Sequence, residues 1–129
     1  MDIKVGMTAT VQETVTDKNT AETVGSGSLK VFATPAMVAL MEKAACEALS
    51  TGLDEGSTTV GTLVNVEHVS ATPLGMTVKV TVTVTEVEGR KIGFSVEAFD
   101  EVGLIGRGTH ERFVVFSEKF IAKTESKGK

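Results

Sequence analysis

Residues 31 to 52, "VFATPAMVALMEKAACEALSTG", form the one stretch of the chain that reads clearly as a helix. Pro35 suits a first helical turn, where its missing N–H would have no partner anyway. Thr34 before it has the chemistry of an N-cap, and Gly52, after Ser50 and Thr51, reads as a C-terminal stop. Met37, Met41, Ala44, Ala45 and Ala48 make one apolar stripe, and only Glu42, Lys43 and Glu47 carry charge. Val38, Ala45, Cys46 and Leu49 surround Glu42 at helical spacings. An Ala-rich helix of this kind packs against a sheet at close range, with Cys46 as a small buried filler. An isolated acid on such a helix is costly unless paired, so Glu42 is either a solvated surface group or a carboxylate placed for chemistry.

Outward from the helix the pattern changes to strands. Residues 6 to 16, "GMTATVQETVT", are rich in Thr and Val and predict a first strand. The segment "DKNTAETVGSGSLK", with Gly and Ser at 25 to 28, predicts a mobile connection into the helix. After the helix come "TTVGTLVNVEHVSA", "GMTVKVTVTVTEVEG", "RKIGFSVEAFDE" and "LIGRGTHERFVVFSEKF". In the second of these Val78, Val80, Val82 and Val84 face one way, and Lys79, Thr81 and Thr83 the other. In the third, Phe94, Val96 and Ala98 alternate with Ser95 and Glu97. The links "ATPLG", "VEGR" and "DEVG" are short and suggest antiparallel hairpins. One strand, one long helix and four long strands imply an α+β layout. Its natural form is the hotdog arrangement, a five-stranded antiparallel sheet wrapped around one central helix. One helix does not cover such a sheet, and edge strands need partners, so a homodimer is expected.

The 129 residues match one domain able to bury a core without staples. A single domain over 1–129 is expected, with a flexible tail at about 121–129. The apolar share is 41% and the net charge is −4, with basic residues scattered and Trp and Tyr absent. A nucleic-acid binder would need a basic stripe and stacking aromatics, so no nucleic-acid partner is expected. Cys46 is the only cysteine and the histidines are His68 and His110. They show no metal-ligand spacing, and no metal is expected. The lone cysteine, the absence of an apolar signal core at the start, and a longest apolar run (Ala36 to Met41) far short of the ~20 residues of a spanning helix lead to a soluble, cytoplasmic protein with no membrane partner.

Three groups could carry chemistry: Thr34, Glu42 and His68. Taken singly, each has a plain explanation, as cap, surface acid or structural histidine. "VFATPAMVALMEKAA", "VGTLVNVEHVSATPLG", "VEGRKIGFSVEAFDEVGLIGRGTHERFVV" and "EKF" together resemble the fluoroacetyl-CoA thioesterase-like family, a hotdog-fold branch, over residues 31 to 120. The resemblance implies hydrolysis of an acyl-CoA thioester by a Thr34, Glu42 and His68 set, with Gly61 and Arg112 touching substrate and no cofactor. His68 would move a proton near neutral pH. Glu42 would either orient the imidazole, as the acid of a triad does, or attack the carbonyl itself. Thr34 would be nucleophile or hydrogen-bond donor, and helix-start N–H groups or the Gly61 N–H would face the oxyanion.

Eight residues of helix rise ~12 Å, so Thr34 and Glu42 do not touch along a regular helix. Either the helix starts later, or substrate lies between them, or a partner subunit supplies one. Where the family's specialised enzyme carries a Phe-bearing lid, this chain has "VGSGSLK". That favours a short-chain or other small activated acyl group over a fluorinated one. His110, in "GTHERF", has no assignable role beyond packing. The related hydratases place an Asp five residues before a His; Leu63 and Ile105 stand there instead. The "GXSXG" pattern of serine hydrolases is absent. The alternatives to an enzyme are a hotdog protein that binds acyl-CoA or another small ligand without turnover, and a structural dimer module.

Overall fold

The long amphipathic helix and the alternating strands meet as expected. The computed structural model describes residues 1–129. Its elements are β1 (Thr8–Thr14), α1 (Ala21–Val24), α2 (Thr34–Leu49), β2 (Ser57–His68), β3 (Thr77–Glu88), β4 (Lys91–Phe99), β5 (Leu104–Phe116) and α3 (Ser117–Glu125). A short 3-10 turn over Ser126–Gly128 follows. The five strands form one antiparallel sheet in the order β1-β3-β4-β5-β2, curled around α2. This is the hotdog layout. No helix is long and apolar enough to cross a membrane.

Period-two alternation decides the sheet's inner face. Val78, Val80, Val82 and Val84 are fully buried, as are Ile92, Phe94, Val96 and Ala98. Opposite them lie Met37, Leu40, Met41, Ala44, Ala45, Ala48 and Leu49 of α2. The three small alanines let the helix approach the valine rows closely. These side chains belong to one core of 20 buried residues. Each buried Val contributes about 1.5–3 kcal/mol of transfer free energy.

Several expectations are corrected. "ATPLG" does not close a hairpin: β2 pairs with β5, at the far end of the sheet from β1, so this segment crosses over to β3. "VEGR" and "DEVG" do join neighbouring strands. The last strand ends at Phe116, and "SEKF" opens α3, so residues 117–125 are helical rather than strand. The connection before α2 is anchored too. Thr20 caps the short α1, Ala21 N–H donates to the Val31 carbonyl at 2.8 Å, and Glu22 N–H donates to that of Leu29 at 3.1 Å. Cys46 is exposed, not buried, because it falls on the outer side of α2 beside Lys43 and Glu47. Gly52 is not a left-handed helix stop, since α2 ends at Leu49 with right-handed Ser50 as its C-cap. Gly52 instead admits the N-terminal segment. Asp2 N–H donates to the Gly52 carbonyl at 2.7 Å, and a Cβ on Gly52 would overlap the Asp2 backbone.

Candidate active site

The N-cap of α2 is Ala33, which makes no side-chain cap bond; Thr34 is the first helical residue. Its hydroxyl is therefore free, contrary to the capping role expected from the sequence. Thr34 Oγ1 lies 2.7 Å from Nδ1 of His68, the last residue of β2. His68 Nε2 is buried and meets no hydrogen-bond partner within the chain. Burial lowers the affinity of this imidazole for a proton below the ordinary histidine range, against an opposing interaction with the Ser70 backbone. A neutral imidazole beside a hydroxyl is a base beside its proton source.

The helix is regular from Thr34 onward, so Glu42 stands about 12 Å further along. The carboxylate does not meet His68 in the same chain. Its partner is Arg112 on β5: Nη1 lies 3.2 Å from Glu42 Oε2. The Arg112 side chain is only 7% exposed, whereas that of Glu42 is 40% exposed. The acid thus has one side toward the guanidinium and one toward open space. Arg112 is held from behind. Its Nε donates to Thr59 Oγ1 at 2.8 Å and Nη2 to the Thr59 carbonyl at 3.0 Å. His110, on the same strand, is buried and stacks on Phe94 at 5.7 Å between centroids.

Gly61 lies directly under this acid. It pairs with Arg112 across β2 and β5, beside a bulge at Thr62. A Cβ at Gly61 would stand 2.5 Å from Glu42 Oε2 and 3.2 Å from Arg112 Nη1. The missing side chain makes room for the carboxylate. The five expected residues therefore fall into two groups in one chain: Thr34 with His68, and Glu42 with Gly61 and Arg112.

The family model for fluoroacetyl-CoA-specific thioesterases matches residues 15–118. The chain belongs to this family. The fluoroacetyl-CoA thioesterase of Streptantibioticus cattleyicolor is 48% identical over 98 residues, covering 76% of this chain and 70% of that one. A solved fluoroacetyl-CoA thioesterase, FlK, superposes with a TM-score of 0.92 at 39% identity, covering 98% of each chain. A thioesterase superfamily member from Thermus thermophilus, described as a hypothetical protein, gives 0.89 at 31% identity, over 96% of this chain and 92% of that one.

Around the Thr34–His68 pair of this family member runs an open cavity of about 260 Å³. Phe32, Val31 and Val69 supply its apolar wall, and Ala21 and Ser26 of the segment before α2 close one side. His110, which the sequence left with packing alone, is the residue nearest to a missed participant. Its one sequence signal is the i, i+2 spacing to Arg112, which puts both on the same face of β5.

Proposed function

We propose that the protein hydrolyses a small acyl-CoA thioester to the free acid and CoA. The observation that carries this reading is the 2.7 Å Thr34–His68 pair opening into a cavity of about 260 Å³. Membership of a thioesterase family supports it. The Thr34 O–H donates to His68 Nδ1. As Thr34 Oγ1 attacks the thioester carbonyl carbon, His68 takes the hydroxyl proton. The C–S bond breaks and the thiolate leaves, protonated by His68. Water then attacks the threonyl ester as His68 takes one of its protons; the acyl C–Oγ1 bond breaks, His68 returns that proton to Thr34 Oγ1, and the acid departs. The first N–H groups of α2 lack intrahelical partners and lie beside Thr34, where they stabilise the developing oxyanion.

With Nδ1 accepting, His68 Nε2 carries a hydrogen that has no acceptor in its own chain. We infer that the protein works as a homodimer and that Glu42 of the partner subunit meets this end of the site. Strand β2 is an edge of the sheet, and Leu63 and Val64 on it are 44% and 41% exposed. Two copies joined edge to edge about a twofold run antiparallel. Residues 61 and 68 lie equally far from the midpoint between Val64 and Asn65, so a twofold there sets the Gly61 end of one copy against the His68 end of the other.

The cavity wall near Ser26 carries small groups only, which suits acetyl- to butyryl-sized acyl chains. Thiol release measured across acetyl-, fluoroacetyl-, propionyl- and butyryl-CoA tests the reading. Turnover that falls about 10²–10⁴-fold in Thr34→Ala and in His68→Ala is expected. Tight acyl-CoA binding without turnover in the unaltered protein would replace the enzyme by a ligand-binding module.

A further inference from the structure

His110 has a defined tautomer. Its Nδ1 lies 2.7 Å from the Leu63 carbonyl, beside the interruption of the β2–β5 ladder at Thr62. A carbonyl oxygen only accepts, so Nδ1 carries the proton. In a neutral ring Nε2 is then a bare acceptor. Burial pushes the imidazole below its usual range, and the adjacent Arg112 charge adds to this, against the pull of the Leu63 carbonyl. Arg112 Nη1 lies 3.3 Å from Nε2, oriented to donate. The other hydrogen on the same nitrogen serves Glu42 Oε2 at 3.2 Å.

That contact is the one hydrogen bond the Glu42 side chain makes within the chain. A 40% exposed glutamate would otherwise sample several rotamers. Its direction therefore depends on where Nη1 points; Thr59 holds Nε and Nη2 of the same guanidinium, and the lone pair of His110 holds the Nη1 end. We propose that His110 is a positioning residue that aims Arg112, and through it the Glu42 carboxylate, over Gly61. The proposal rests on the thioesterase reading for its consequence and on the hydrogen-bond chain Leu63–His110–Arg112–Glu42 for its mechanism. Without the lone pair, a buried Arg112 N–H loses its acceptor, and the guanidinium, held only through Nε and Nη2 by Thr59, tips at its Nη1 end away from Glu42.

His110→Phe tests this because it keeps the ring stacked on Phe94 and removes both nitrogens. With acetyl-CoA as substrate, kcat is expected to fall about ten- to a hundredfold while KM changes by less than about threefold. His110→Gln, which restores an acceptor, should recover most of the loss. The double variant His110→Phe/Glu42→Gln should be no slower than Glu42→Gln alone, since both changes remove one linked element. Unchanged kcat in His110→Phe, a loss expressed mainly in KM, or multiplicative losses in the double variant would overturn the proposal. Nitrogen-15 spectra of the unaltered protein give a readout independent of turnover and of variant folding. An Nδ1–H neutral ring for His110 and hindered Arg112 Nη signals are expected near neutral pH. An Nε2–H ring or a freely rotating guanidinium would also defeat it. If no acyl-CoA is hydrolysed, the thioesterase reading fails while the spectra still decide the His110–Arg112 link.

Discussion

Thr34 Oγ1 and His68 Nδ1 lie 2.7 Å apart, joining the first residue of the long helix to the last residue of an edge strand. Thirty-four positions separate them in sequence, so only the packing of α2 on the sheet makes them neighbours.

The state of His68 sets the pH response. As a base it must be neutral, and burial lowers its pKa below 6.5. The acidic limb of kcat/KM is therefore expected below the ordinary imidazole value, with activity retained at mildly acid pH. Stability follows the same sign. His68 and His110 both bind protons more weakly folded than unfolded, so their contribution is complete above about 6.5 and is lost as pH falls through the lowered folded values. Rate profiles and thermal melts between pH 4.5 and 8 check both, and an acidic limb above 7 would contradict the assignment of His68 as base.

Gly61→Ala should lower activity through the Glu42–Arg112 pair. The new Cβ would meet the Glu42 carboxylate at 2.5 Å. That carboxylate ends a flexible, half-exposed side chain and swings toward solvent, but the buried Arg112 N–H gives up its partner, so a loss of about 1–3 kcal/mol is expected. Turnover is expected to fall at least about tenfold because the acid has left its place. Denaturant melts and thiol-release rates on the same preparation measure the two effects.

Gly106→Ala should act through packing under the helix start. Gly106 is paired with His68 across β5 and β2. A Cβ there would stand 2.5 Å from Met37 Sδ and 3.0 Å from the Glu67 carbonyl. Met37 is fully buried in the first turns of α2, so the helix start carrying Thr34 must shift. A loss of about 1–3 kcal/mol is expected, with reduced turnover. A melt indistinguishable from the unaltered protein would refute the packing account.

Val64→Lys should block edge pairing. A charge on an open strand edge is a standard barrier to strand addition. Sedimentation velocity is expected to show a monomer with a native circular dichroism spectrum and little turnover. Full activity as a monomer would mean that each chain carries a complete site.

Local chemistry made much of the fold legible. The alternation from Val78 to Val84 and from Phe94 to Ala98 states which side of a strand is buried, and the α2 stripe does the same at helical period. These patterns depend on near neighbours alone, so the α+β layout of one helix and five strands followed from them. Cys46 was misjudged for the same reason in reverse. Apolar neighbours at helical spacing do not say which part of a mostly apolar helix faces the sheet, and the outer part carries Cys46 between Lys43 and Glu47.

What depended on distant parts of the chain was decided by the tertiary structure. Whether "ATPLG" is a hairpin or a crossover turns on β2 pairing with β5 rather than β3, a choice made by the whole sheet. The candidate residues Thr34, Glu42, His68, Gly61 and Arg112 were nameable from the sequence, but their partners were not. The sequence determined a helix with an acid on it and a sheet that needs covering, because periodic burial is encoded residue by residue. Only folding gave Thr34 to His68 and Glu42 to Arg112, because hydrogen bonds between residues 34 and 70 positions apart exist once helix and sheet have closed on their common core.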